Sequence, residues 1–170
     1  VVAPTSNQAV RQLAAELTNM LHRISGAEVA VIEGDGRTGI ALGVADDFPE
    51  LAARETLDPV DLRRTEEYLL RSHANGLWAI GAGEAAVRHA VWDLLYRLGY
   101  RQFLPGALWE HVPQCERIEL AVDSHEKPDY WGRRLSSGSS RGADRFGDGE
   151  ALRLWRERNR AADGFLVHST

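Results

Sequence analysis

The stretch from Glu66 to Gly99 constrains this chain more than any other. It reads EEYLLRS, then His73-Ala74-Asn75-Gly76, then LWAI, then Gly81-Ala82-Gly83 and a helical run closed by Gly99. Asn-Gly between two β-rich runs signals a hairpin, because those residues tolerate the backbone of a two-residue turn. Strands joined that way pair antiparallel, whereas parallel neighbours need a long crossover. The second arm runs straight into a helix, about Glu84 to Leu98. Its apolar positions are Ala86, Val87, Ala90, Val91, Leu94, Leu95 and Leu98, at helical spacing. Hairpin then helix is the start of an α+β layer.

The flanks extend this reading. Val10, Leu13, Ala14, Leu17, Leu21 and Ile24 form one apolar stripe, so a first helix is expected there. Thr5, Ser6 or Asn7 can cap it, and Gly26 stands where a left-handed residue ends a helix. Strands are expected at Glu28–Ile32 (EVAVI), at Gly39–Val44 (GIALGV) and, last, at Arg117–Val122 (RIELAV). Residues 45–62 carry Asp, Pro and Glu and read as a solvated excursion. Tyr100 to Leu104 extends into a Pro105-Gly106 turn. The fold class expected is α+β, a small mixed or antiparallel sheet with two main helices packed on one face.

The pattern changes after His125. Lys127-Pro128-Asp129 reads as a linker, 130–135 as a strand, and 136–149 as a Gly-, Ser- and Asp-rich loop. A helix fits Glu150 to Arg160, and a strand fits 164–167. Strand, helix, strand is one βαβ crossover, the repeat of parallel barrels. The expected division is therefore residues 1–126 as one α+β domain and 127–170 as the first βαβ unit of an incomplete (β/α)8 barrel.

Bulk chemistry narrows the function classes. The net charge is -5 over 170 residues, against the basic excess of nucleic-acid-binding surfaces. Lys127 is the one lysine among twenty basic residues, which reads as a coding bias of a high-GC bacterial genome. No apolar run approaches the roughly 20 residues of a membrane span, so neither nucleic acid nor membrane is an expected partner. Cys115 is the lone cysteine, which excludes an internal disulfide or a Cys-based zinc site. The start Val1-Val2-Ala3-Pro4-Thr5 fits trimming of a longer chain or signal removal, and a secreted or periplasmic location is the expectation.

Few motifs carry chemistry. Gly81-Ala82-Gly83-Glu84-Ala85-Ala86 fits the dinucleotide turn G-x-G-x-x-(G/A). However, its strand is a hairpin arm, and Glu84 would face the phosphate. The other reading is a tight strand-to-helix turn that needs small residues. The six histidines show no metal-ligand spacing, and no cofactor is implied. Glu66-Glu67 and Asp46-Asp47 are expected to be solvated. Of the five tryptophans, Trp78 and Trp92 are expected in the core, while Trp131 and Trp155 are candidates for contact with a sugar face.

One resemblance draws these pieces together. Leu77 to Pro113 reads LWAIGAGEAAVRHAVWDLLYRLGYRQFLPGALWEHVP. It resembles the N-terminal domain of alpha-glucuronidases of glycoside hydrolase family 67. It is also similar to the domain before the barrel in family 20 beta-hexosaminidases. The shared pattern is a strand, a glycine turn, a helix, then Leu98-Gly99-Tyr100-Arg101, Phe103, Pro105-Gly106 and Val112-Pro113. Ile24-Ser25-Gly26-Ala27 agrees as well, and the likeness spans roughly residues 8–135.

The resemblance implies a non-catalytic accessory domain of a carbohydrate-active hydrolase. Its partners would be the barrel, by intramolecular packing, and a carbohydrate substrate held by that barrel. The glycans implied contain uronic acid or N-acetylhexosamine, and the catalytic carboxylates would lie on later barrel strands. The resemblance also implies substrate-binding residues: Arg133 first and Arg134 second, on the first barrel strand, and His168 at the end of the second. A junction salt bridge is the other reading of Arg133. The alternative for the chain as a whole is an autonomous α+β module binding a sugar or a nucleotide.

Overall fold

The computed structural model describes residues 1–51, 56–57, 61, 64–130, 133 and 149–161. The first helix, α1 (Gln8–Ser25), is capped by Asn7, whose side chain accepts from Val10 N–H at 3.0 Å. It ends at Gly26, with φ of 72°, where any other residue meets steric strain. The strands β1 (Gly39–Val44), β2 (Tyr68–His73) and β3 (Gly76–Gly81) follow, then helix α2 (Glu84–Arg97). Two short strands, β4 (Arg101–Gln102) and β5 (Glu110–His111), form their own hairpin. Last come β6 (Asp123–Glu126) and helix α3 (Gly149–Arg158).

The main sheet has the order β1-β3-β2-β6. β1 runs parallel to β3, and the other two pairings are antiparallel. The class is therefore α+β with a mixed sheet. Strand alternation assigns the two faces. Leu42, Leu70, Leu77 and Ala79 pack with both α1 and α2 in one core cluster, so these helices share one face of the sheet. Ala41, Leu69 and Ile80 point the other way and pack with Phe48, Leu51 and Leu57.

That second cluster corrects one expectation. The segment after β1 supplies the cover for the far face of the sheet, and Phe48 and Leu57 are 3% and 4% exposed. Its polar composition hid three apolar anchors. Asp47 is not simply solvated either: it accepts from Ser6 Oγ at 2.9 Å and from Val44 N–H at 3.2 Å.

Two expected strands also differ. Glu28–Ile32 is outside the main sheet, tied at its end by a single bridge between Val2 and Glu33. Its β-branched composition favours a ladder, yet no strand of the sheet reaches it. The last strand forms at Asp123–Glu126 rather than Arg117–Val122. Ser72 holds the approach instead, donating from N–H to the Val122 carbonyl at 2.7 Å and from Oγ to the Leu120 carbonyl at 3.0 Å. The strands expected over 130–135 and 164–167 lie mostly outside the described residues.

The hairpin formed where expected, for a different reason. Neither Asn75 nor Gly76 has positive φ, and Gly76 already pairs with His73 as the first residue of β3. A Cβ at Gly76 would lie 1.9 Å from the Gly39 carbonyl oxygen. Gly76 is there to let two backbones meet. Gly99, with φ of 100°, closes α2 in a Schellman arrangement. Tyr100 N–H donates to the Leu95 carbonyl and Gly99 N–H to the Tyr96 carbonyl, both at 3.0 Å.

Gly76→Ala is therefore expected to cost about 2–3 kcal/mol by overpacking, while Asn75→Ala changes stability by less than about 1 kcal/mol. Urea unfolding of both variants checks this, and equal midpoints would contradict the close-approach account.

Candidate functional site

Polar chemistry gathers where β2, α2 and the chain after β6 meet. His89, Asp93 and Arg97 stand one helical turn apart on α2. They form a polar stripe in a helix that is otherwise largely buried. His89 is 7% exposed and Asp93 4%, so each needs a partner. Arg97 Nε donates to Asp93 at 3.1 Å and its Nη2 to Glu126 at 3.3 Å. Arg160, just past α3, lies 3.1 Å from Asp93 and donates to the Tyr68 hydroxyl at 3.1 Å. A cavity of about 250 Å³ opens among Tyr68, His89, Glu126, Lys127, Arg133 and Arg160.

Arg133 lines this cavity and forms a salt bridge with Glu66. Its guanidinium donates to Glu66, to the Tyr130 carbonyl at 2.8 Å and to the Arg160 carbonyl at 3.0 Å. Arg134 and His168, the other two residues implied as sugar contacts, lie outside the described residues, as does Trp131. Trp155 is half-buried and donates to the Gln102 carbonyl at 3.1 Å, so it serves the docking of α3. Trp92 is buried in the core, and Trp78 packs half-buried on the second cluster.

Glu66-Glu67 is the second expectation to be corrected. Glu67 is 2% exposed, bound by both arms of Arg64 at 2.8 Å and 3.2 Å from His125 Nε2. The Arg64 bonds, helped by His125, hold its carboxyl below the ordinary range. The pair lies in the turn that leads into β2, and the chain folds over it.

Another acid lies at the far end of α2. Glu110 on β5 receives Arg23 at 2.6 Å, the Tyr100 hydroxyl at 2.9 Å and Arg158 at 3.1 Å. Burial works to raise its carboxyl, but Arg23, Tyr100 and Arg158 together hold it below the usual value. Arg158 also lies 5.2 Å from the Trp92 ring centre, and Arg101 lies 3.4 Å from that of Tyr96. A cavity of about 290 Å³ is lined there by Trp92, Tyr96, Arg101, Phe103, Arg158 and Asn159.

This arrangement is better suited to holding than to proton transfer. A general acid needs a carboxyl raised towards the working pH. Here Glu67 and Glu110 are instead held low by their arginines. Burial raises the Tyr68 hydroxyl, with Asp93 acting in the same direction, so it stays neutral. Burial pushes His89 down to about 4, with Arg133, Arg160 and Arg88 adding to the effect. The imidazole is neutral at pH 7. The signal for this site was present in the chain as polar residues at four-residue spacing inside an apolar helix, but their partners come from distant segments.

The Gly81–Ala86 turn takes its packing role. A Cβ at Gly81 would lie 2.5 Å from the Val87 nitrogen, and Asn7 Nδ2 donates to Glu84 across the helix start. Among the described residues, no group of three or more His, Cys, Asp and Glu side chains is placed to hold a metal ion. No described helix is long and apolar enough to cross a membrane. No protein-family model matches this sequence, and no curated protein matches it significantly.

His89 makes the fold acid-sensitive in a defined window. Unfolding returns it to its ordinary value near 6.5, while the folded value is about 4. The stability tied to its neutral form is complete above pH 6.5 and is lost as pH falls towards 4, by up to about 3 kcal/mol. His89→Gln should flatten the stability profile between pH 6.5 and 4.5. An NMR titration placing the His89 imidazole near 6.5 would contradict the buried-neutral assignment.

Proposed function

We propose that residues 1–126 form the non-catalytic accessory domain of a carbohydrate-active glycoside hydrolase, and that the chain beyond them leads into its catalytic (β/α)8 barrel. The glycans proposed contain uronic acid or N-acetylhexosamine, on the resemblance of Leu77 to Pro113. The observation that carries the reading is an apolar surface on the β4–β5 hairpin. Phe103, Leu108 and Trp109 are 64%, 89% and 47% exposed, and Phe103 N–H bonds the Trp109 carbonyl at 3.0 Å. Adjacent exposed residues of this size mark a surface that packs on something else.

The position of that surface supports the same reading. It adjoins α3, whose Trp155 and following Asn159 both donate to the Gln102 carbonyl at 3.1 Å. Glu67 and Glu110, whose arginines hold them below the ordinary carboxylate range, support an anchoring role as well, since acids kept low in pKa do not act as general acids near neutrality.

Hydrolysis of aryl uronides and aryl N-acetylhexosaminides tests the proposal. The 170-residue chain is compared with the product of the reading frame continued past Thr170. Activity is expected only in the longer protein. Leu108→Ser with Trp109→Ser should lower the Tm of the longer protein by several degrees and leave that of the 170-residue chain nearly unchanged. Turnover by the 170-residue chain, or a stop codon within a few tens of codons after Thr170, overturns the proposal.

A further inference from the structure

Three hydrogen-bond donors line the cavity beside Tyr68 and His89, and none has an acceptor in reach among the described residues. His89 is 7% exposed, yet no described residue hydrogen-bonds its ring. Glu66 Oε2 lies 3.9 Å from Nδ1, beyond hydrogen-bond reach. A neutral imidazole keeps one N–H to donate. The buried Tyr68 hydroxyl accepts from Arg160 at 3.1 Å, and no described residue takes its own proton. Lys127 is exposed and has no acid within ion-pair distance among the described residues. All three belong to the wall of the same cavity of about 250 Å³.

The other charges on this wall are spent on each other. Arg133 gives its guanidinium to Glu66 and to the carbonyls of Tyr130 and Arg160. Arg160 is taken by Asp93 and Tyr68. Glu126 receives Arg97 on Oε1, and its Oε2 has no donor among the described residues. Set in these pairs, the charges cancel and Lys127 is left over. The cavity therefore has room for one negative charge. Buried donors without an acceptor are costly, so water or a ligand fills them.

We propose that this cavity binds a small hydroxy acid as its monoanion. The carboxylate takes the His89 N–H, the Tyr68 O–H and the Lys127 ammonium, which are charge-assisted bonds of the stronger kind. A hydroxyl of the ligand donates to the open oxygen of Glu126. The volume is below the ~300–1,000 Å³ usual for drug-sized ligands, so the occupant is no larger than a sugar acid. A dianion such as a phosphate monoester would meet one unmatched cation and the Glu126 carboxylate, and a neutral sugar would leave Lys127 unmatched. A free hydroxy acid and the terminal uronate of a glycan share the required chemistry. Arg133 takes no part, which separates this site from the sugar contact that the resemblance implied for that residue. The site is built from this chain alone and stands apart from the proposed hydrolase role.

The test titrates the 170-residue chain with gluconate, with the methyl glycoside of glucuronate, and with the methyl ester of that glycoside. Calorimetry reads the heat, and NMR reads the His89 ring signals. Saturable binding of one or both acids is expected, with Kd about 1 mM, and no binding of the neutral ester. Gluconate alone would make the ligand a free acid, and the glucuronide alone would make it a glycan end. Lys127→Met, at an exposed position, is expected to weaken binding about tenfold with the Tm unchanged. Tyr68→Phe, which keeps the ring, is expected to weaken it to a similar degree. No saturation by either acid up to about 50 mM, equal binding of the ester, or an affinity unchanged by Lys127→Met overturns the proposal.

Discussion

The backbone of Gly76 lies against that of Gly39, and this contact lets β1 run parallel to β3 at ladder distance. A two-residue turn holds β2 on the opposite edge of β3. β3 is thus paired on both edges, by partners of opposite direction. Its far end, Gly81, admits the first turn of α2 without a side chain in the way. Position and direction of α2 both follow from this central strand.

With the sheet beneath it, α1 beside it and α3 at its outer side, α2 is buried over most of its surface. Ala86, Val87, Ala90, Val91 and Leu95 are fully buried. A helix enclosed to this degree has little water for polar side chains. His89 and Asp93 consequently act on everything around them. Asp93 draws in Arg97 and Arg160, and His89 is kept neutral by the same burial.

The acids on this surface belong to residues 1–126, and several of their arginines come from the chain that follows. Glu66, Asp93 and Glu110 take Arg133, Arg160 and Arg158. Exposed ion pairs of this kind contribute about 0–1 kcal/mol, whereas breaking a buried one costs about 3–5 kcal/mol. Asp93 and Glu110 are at the buried end of that range. Such pairs add little net stability over an apolar contact, but they penalise any other docking of the segment. Their strength lies in fixing where the chain goes after β6.

Much of the local structure was legible. Helices α1 and α2 declared themselves through apolar spacing, an Asn cap and stop glycines, all of which act within a few residues. The β2–β3 hairpin was legible too, although Asn75-Gly76 was read as a turn signal when Gly76 is required by a backbone across the sheet. Phe48, Leu51 and Leu57 were overlooked because scattered apolar anchors in a polar segment have no period. Residues 28–32 have the composition of a strand, but composition does not supply a neighbour. The partners of His89, Glu67 and Glu110 arrive from up to about ninety positions away, as with Arg23 and Glu110, and no local pattern encodes that distance.

By itself, then, the sequence determined what short-range sterics and amphipathic spacing control: two capped helices, a hairpin, a glycine-bounded strand-to-helix turn and an α+β class. Only the tertiary structure decided the strand order, the cover on the second face, the final strand at Asp123–Glu126 and the pairing of each buried acid with its arginine. These depend on which surfaces meet. The free energy of a buried charge or an open strand edge is set by neighbours that are remote in the chain.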